Sequence, residues 1–268
     1  MLNGMTLGQY LPVDSVLHRL DPRAKMFLLL LVLFAVFFYT SPELYALYTV
    51  VLLLLAGAGR VPLRLLLSSV RPILPLIVFT FIVHLFTMKG TPLVTVAGFS
   101  VTMEGVRHGF FITYRLVLLL MYSALLTFTT SPLLMTDAIE WMLSPFRRIG
   151  VPAHELAMMM TIALRFVPTL LEEAEKIMLA QRARGVDFSG SIWHRIKSFI
   201  PILVPLFISS FRRADALAMA MEARCYTGGE GRTRTRELAF RRQDGIAAIA
   251  VLALFVLAAV MNGGGDGF

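Results

Sequence analysis

Five histidines (His18, His84, His108, His154 and His194) and one cysteine, Cys225, are the side chains best suited to metal binding or nucleophilic chemistry, and their spacing supports neither. The histidines are scattered without ligand spacing. A single cysteine excludes an internal disulfide and any multi-cysteine metal site. Nowhere does a glycine precede Lys-Ser or Lys-Thr at P-loop spacing. The run Gly228-Gly229-Glu230-Gly231-Arg232-Thr233 lacks the lysine and reads as a polar loop. Glu172, Glu173 and Glu175 stand beside Lys176 and read as a solvated helix face, not as clustered acid catalysts. What remains is arginine. Two similar words, Gln181-Arg182-Ala183-Arg184-Gly185 and Met221-Glu222-Ala223-Arg224-Cys225, place Ala-Arg dipeptides 40 residues apart. Arginine at a helix C-terminus is favoured by the helix dipole by about 0.3–1 kcal/mol. A guanidinium is also a planar, permanently charged fork suited to carboxylates and carbonyls on another protein. Capping and docking both fit.

The elements that must position these words are two long amphipathic helices. From about residue 154 to 184, Met159, Met160 and Leu164 belong to one apolar stripe with three-to-four spacing. Its 31 residues would span roughly 46 Å, with a kink predicted at Pro168 and a stop at Gly185. A second helix is predicted from about 192 to 224. Its stripe includes Phe199, Ile202, Leu203, Leu206 and Phe207, and Pro201 and Pro205 should bend it. Residues 133–143, with Asp137 and Glu140 on the polar side, form a shorter amphipathic helix ahead of the Gly150-Val151-Pro152 break.

The chain around these helices is a membrane protein. Of its 268 residues, 57% are hydrophobic and 16% charged, against about 45–50% and about 25% in soluble domains. Near-spanning apolar runs occupy residues 24–39, 44–58, 72–87, 109–129 and 245–261, giving an all-α polytopic protein of about five spans. No cleavable signal is expected in the first twenty residues. Arg19, Arg23 and Lys25 precede the first span, and Arg60, Arg64 and Arg71 follow the second. Only Lys89 and Arg107 lie between the third and fourth. The positive-inside bias therefore predicts a cytoplasmic N-terminus and an external C-terminus. Residues 1–130 form a first membrane region, 131–243 a cytoplasmic block and 244–268 a last span with its tail. The block holds sixteen of the 25 bases and eleven acids, a local balance of 16 − 11 = +5 within a net charge of +8. Such charge reflects topology and needs no nucleic acid. Residues 91–102 read as an outer hairpin around Ala97-Gly98, and Arg115 within the fourth span calls for a polar partner.

These features resemble the transmembrane T component of energy-coupling factor transporters, the prokaryotic importers of vitamins and metal ions. That family carries Ala-Arg-Gly-type motifs at the ends of two cytoplasmic coupling helices. Ala183-Arg184-Gly185 matches the first; Ala223-Arg224-Cys225 matches the second except at Cys225. The opening is also similar: Gly8-Gln9-Tyr10-Leu11-Pro12, Ser15, and His18-Arg19-Leu20-Asp21-Pro22-Arg23-Ala24-Lys25. Within it Asp21-Pro22-Arg23 is the characteristic triplet. Read locally, Asp21 caps a helix, Pro22 takes the first position, and Arg23 and Lys25 sit at the headgroups. The resemblance extends over essentially the whole chain. It implies that Arg184 and Arg224 each insert into one of two cytoplasmic ABC-type ATPase subunits, which use the ATP. The chain itself would bind no cofactor. The stripes bearing Met159, Met160, Leu164, Leu203, Leu206 and Phe207 would meet a separate substrate-binding membrane subunit, the S subunit, in the prokaryotic cell (inner) membrane.

Two other classes make different demands. A permease forming its own substrate path needs polar residues along several spans, where only Arg115 and a few hydroxyls are present. A membrane-embedded lipid-modifying enzyme needs acids or histidines clustered near an interface, which the spacing does not provide.

Overall fold

The computed structural model describes residues 10–38, 41–88, 90–96, 99–187, 191–228, 240 and 242–263. Gly8, Gln9, Ala97, Gly98, most of the glycine-rich run at 228–233 and the end of the tail lie outside the described residues. The chain is an all-α polytopic membrane protein with one short hairpin among the described residues. It divides into two compact units, residues 1–138 with 238–268, and residues 139–237.

The first unit begins with α1 (Val16–Arg19), α2 (Pro22–Phe38) and α3 (Pro42–Ala58). Leu11-Pro12, Ser15 and His18 hold one another ahead of α2. The His18 Nε2 lies 2.9 Å from the Leu11 carbonyl, which can only accept, so Nε2 carries the proton; Nδ1 then accepts from the Ser15 hydroxyl at 2.6 Å. Burial depresses the His18 pKa and favours this neutral ring. The Leu11 amide donates to the Phe128 carbonyl at 3.0 Å.

Asp21 caps α2 as the sequence implies, its Oδ1 accepting from the Arg23 amide at 2.9 Å with Pro22 first in the helix. Lys25 is not an exposed anchor. It is buried, and its ammonium donates to the Thr129 carbonyl at 2.9 Å and the Thr130 hydroxyl at 3.4 Å. The helix turns this position inward, where the end of another helix offers an unpaired carbonyl.

The third apolar run starts earlier than its hydropathy suggests. Helix α4 (Leu63–Val70), a 3₁₀ turn (Arg71–Ile73) and α5 (Leu74–Thr87) make one continuous stretch of 25 residues. Pro72 and Pro75 lack the amides that would continue the α pattern, which accounts for the tighter turn. Arg64 thus lies within a helix, and Arg71 in its turn, instead of in a connector.

Strands β1 (Pro92–Val96) and β2 (Phe99–Thr102) form the expected hairpin, antiparallel with Thr95 opposite Ser100 and Val96 opposite Phe99. It delivers Thr102 as the cap of α6 (Met103–Thr129), its hydroxyl oxygen accepting from the Gly105 amide at 3.1 Å. Gly105 and Gly109 let α5 approach: a Cβ at Gly105 would sit 3.1 Å from the His84 and Leu85 carbonyls, and one at Gly109 would sit 3.2 Å from the Phe81 ring. This is small-xxx-small packing, the device that lets membrane helices pack without a hydrophobic drive between them.

The unit's core is set by Val36, Leu44, Tyr48, Leu118 and Tyr122, all nearly inaccessible. Two of its buried tyrosine hydroxyls are satisfied in series. Tyr122 Oη donates to the Tyr48 carbonyl at 2.7 Å, and Tyr48 Oη to the Ala35 carbonyl at 3.1 Å. Arg115 finds its polar partner: its Nε donates to Tyr45 Oη at 3.2 Å, and its guanidinium lies 5.7 Å from the Phe37 ring centre. Helix α7 (Pro132–Leu143) crosses the boundary between the units, and α10 (Arg242–Gly263) returns to the first. By length and composition, four helical stretches among the described residues are long and apolar enough to span a membrane: Leu63–Thr87, Met103–Thr129, Ala153–Ala183 and Arg242–Met261. Helices α2 and α3, at 17 residues each, cover roughly 26 Å against a hydrocarbon core of about 30 Å.

The second unit holds the pair α8 (Ala153–Ala183) and α9 (Ile192–Ala223). Glu140 does not face solvent as its polar neighbours suggest. It pairs with His154 Nδ1 at 3.1 Å near the start of α8.

Candidate functional site

The two Ala-Arg words end α8 and α9 with the same hydrogen-bond pattern. At the first, the Gly185 amide donates to the Arg182 carbonyl at 3.0 Å and the Val186 amide to the Gln181 carbonyl at 3.0 Å. At the second, the Cys225 amide donates to the Glu222 carbonyl at 2.9 Å and the Tyr226 amide to the Met221 carbonyl at 3.0 Å. Both are complete Schellman caps, which satisfy the last carbonyls and need a left-handed residue after the cap. Gly185 supplies φ +87° and Cys225 φ +58°. The departure from glycine at the second word therefore leaves the cap geometry intact, with a non-glycine residue held in the strained region.

Ala183, Arg184, Gly185, Ala223, Arg224 and Cys225 are all exposed. Arg184 and Arg224 are the cap residues, so the backbone ladder fixes their stems while their guanidinium groups have no hydrogen-bond or ion-pair partner among the described residues. The caps are satisfied by backbone groups alone, so neither guanidinium is needed for them.

Helices α8 and α9 run antiparallel. The Glu173 carboxylate accepts from the Ser209 hydroxyl and, at 2.8 Å, from Arg213; further along, the Gln181 amide donates to the Pro201 carbonyl at 3.4 Å. The Ser198 hydroxyl donates to the Asp187 carbonyl at 2.8 Å. Residue numbers rise on one helix as they fall on the other. Arg184 accordingly lies level with about residue 200 of α9, 24 residues or roughly 36 Å along that helix from Arg224. Each helix ends at opposite ends of the pair.

Two features of this pairing depart from, or add to, the sequence pattern. Glu173 belongs to the interface between the helices, not to a solvated face. Gln181 repairs a defect: Pro205 has no amide to give to the Pro201 carbonyl four residues earlier, and the glutamine side chain supplies the missing donor. A glutamine facing an x-Pro pair was the available signal.

The α9 stripe divides in two. Ile202 is buried, whereas Leu203 and Phe207 are exposed together with Ile196, Ile200, Val204 and Phe211. On α8, Met159 is exposed while Met160 and Leu164 are half-buried. Asp21 and Pro22 are buried and Arg23 half-buried in the first unit. There the Asp21 amide donates to Asp244 Oδ1 at 2.8 Å, tying α2 to the first turn of α10 across 223 residues. Asp244 is a functional candidate that the sequence pattern did not single out, because one acid at the start of an apolar helix reads as an ordinary end charge.

An apolar multi-helix bundle and a pair of long helices, each ending in an exposed arginine with no partner among the described residues, define a multi-pass membrane protein with two exposed basic helix ends. Comparison with known proteins gives the class its family. Residues 14–235 match the CbiQ family model, described as cobalt transport protein. The chain is 53% identical over 265 residues to the energy-coupling factor transporter transmembrane protein EcfT of Acidaminococcus fermentans, covering 98% of this chain and 99% of that one. It is 49% identical over 258 residues to the Heliobacterium modesticaldum protein of the same name, covering 96% and 97%, and 43% identical over 263 residues to that of Bacillus subtilis, covering 97% and 98%. The chain belongs to this family of transmembrane energy-coupling components of energy-coupling factor transporters.

Proposed function

We propose that the chain couples ATP hydrolysis by two cytoplasmic ABC-type ATPase subunits to a substrate-binding S subunit, for uptake of a vitamin or metal ion across the bacterial cell membrane. Arg184 and Arg224 are the docking points, with Ala183, Gly185, Ala223 and Cys225 shaping the helix ends that carry them. The observation that carries this reading is the pair of identically capped, exposed arginines at opposite ends of one antiparallel helix pair. Two partners can then be engaged at once without competing for one surface. Closure of the ATPases on ATP would move the two ends together, and the pairing through Glu173 and Gln181 would pass that motion along both helices. The apolar residues Met159, Met160, Leu164, Leu203, Leu206 and Phe207 face the S subunit, with methionine giving an adaptable surface. The ATPase subunits consume the ATP and this chain binds no cofactor. The N-terminus and the helix pair lie in the cytoplasm, and the C-terminus outside.

The test is the complex carrying Arg184→Ala, Arg224→Ala or both. Each single variant should weaken ATPase coupling while membrane insertion survives, and the double variant should lose uptake. Undiminished uptake with normal assembly in the double variant would overturn the proposal.

A further inference from the structure

We propose that the 3₁₀ stretch Ser144–Ile149 is a membrane-surface anchor that seats the start of α8 on the anionic headgroups of the cytoplasmic leaflet. All six of its residues are exposed, and so is Trp141 in the last turn of α7. The stretch is nonetheless an ordered element. The Gly150 amide donates to the Arg147 carbonyl at 3.1 Å and the Val151 amide to the Phe146 carbonyl at 3.3 Å, with Gly150 left-handed at φ +91°. It follows α7 directly, and α8 starts four residues beyond it.

Its geometry is that of an interfacial ridge. With three residues per turn, positions i and i+3 of a 3₁₀ helix eclipse. Phe146 and Ile149 therefore form one apolar ridge, and it is left open: Ile149 is 79% exposed and Phe146 half exposed. Arg147 and Arg148 fall about 120° to either side of it. A ridge lowered among acyl chains carries both guanidinium groups at the level of the phosphates. Trp141 adds the side chain most at home at such an interface. The charge here does not cancel. Residues 141–152 hold two arginines and no acid, and neither arginine has a hydrogen-bond or ion-pair partner among the described residues. The acid before them, Glu140, is largely buried and paired with His154. The acid after them, Glu155, is half-buried in the first turn of α8, where it offsets the positive end of that helix.

Chain continuity selects the bilayer as the partner. The α6 span ends at Thr129, and α7, which begins at Pro132, is 12 residues or roughly 18 Å long. One short helix thus tethers the ridge to a membrane span. Apolar side chains flanked by unpaired arginines on such a tether match an anionic bilayer surface. A protein groove would have to supply acids on both sides of the ridge. The choice of the cytoplasmic leaflet alone rests on the orientation proposed above.

The test uses the full chain in nanodiscs of equal phosphatidylcholine and phosphatidylglycerol. Trp141→Phe and Trp193→Phe remove the two native indoles, and Phe146→Trp places one on the ridge. Bromine on the acyl chains should quench that indole. Brominated phosphatidylglycerol should quench it more than brominated phosphatidylcholine, because two arginines enrich anionic lipid locally by up to roughly thirtyfold. Arg147→Gln with Arg148→Gln should level the two lipids, and Ile149→Ser should weaken quenching by both. Every substituted position is exposed, so melting in detergent should be unchanged and shows that each variant is folded. The readout needs neither ATPase nor S subunit, so it fails separately from docking through Arg184 and Arg224. An unquenched indole overturns the anchor. So does equal quenching by the two lipids while both arginines are present, or an indole shielded only once an ATPase or S subunit is added.

Discussion

Replacing Asp244 tests whether the Asp21-Pro22-Arg23 triplet works as a joint between the two ends of the membrane unit. Asp244 is 3% exposed, and its Oδ1 accepts from the Asp21 amide at 2.8 Å. Asp21 in turn caps the Arg23 amide, and the Lys25 amide donates to the Asp21 carbonyl at 3.0 Å. Asp244→Ala leaves a buried amide without its acceptor, a cost of about 1–3 kcal/mol. It also removes a carboxylate from the neighbourhood of the buried Lys25 ammonium, and loss of a compensating buried charge costs several kcal/mol at the upper limit. A total near 3 kcal/mol is expected, roughly a 150-fold loss of protection at 1.4 kcal/mol per factor of ten. Asp244→Asn keeps an acceptor for the Asp21 amide and loses only the charge, so its cost should be smaller by the roughly 1–3 kcal/mol of the orphaned amide.

Hydrogen exchange on peptides covering residues 20–27, in detergent and in nanodiscs, reads this directly. Lys25→Met supplies the second edge of a cycle, since an apolar chain of similar length removes the cation without leaving a cavity. If the charges are coupled, Lys25→Met combined with Asp244→Asn should cost less than the two changes added together. Equal effects of Ala and Asn at 244, or protection unchanged within a factor of two in Asp244→Ala, would refute the joint.

The helix ends and the pairing between them give two more tests. Cys225→Gly should slow exchange at the Tyr226 amide, because relief of about 1–2 kcal/mol of left-handed strain exceeds the roughly 0.5–1 kcal/mol of extra chain entropy that glycine loses. Gly185→Cys should speed exchange at Val186 by a similar margin; a Cβ there meets no atom within 4 Å, so the penalty is backbone strain alone. Gln181→Leu should destabilise the α8–α9 pair by about 1 kcal/mol by orphaning the Pro201 carbonyl. Adding Pro205→Ala, which restores an amide to that carbonyl, should recover most of the loss in thermal unfolding.

Much of this architecture is written in periodicity. The apolar runs mark the bundle helices, and the three-to-four stripes delimit α8 and α9 to within a residue or two, because proline, glycine and charge interrupt those patterns at the ends. What periodicity does not encode is direction around the helix axis. Glu173 and Glu140 look like solvent-facing acids until neighbouring helices bring Arg213 and His154 to them. Lys25 looks like a headgroup anchor until the end of α6 presents its unpaired carbonyl. Gly105 and Gly109 look like weak points in a span until α5 closes against them. In each case the deciding partner is remote in the chain. The two Ala-Arg words are the opposite case. Their caps use only backbone groups within one helix turn, so spacing alone locates them, and glycine in one and cysteine in the other still give one geometry. Neither guanidinium has a partner among the described residues and neither is needed for its cap, which supports the docking role proposed for Arg184 and Arg224.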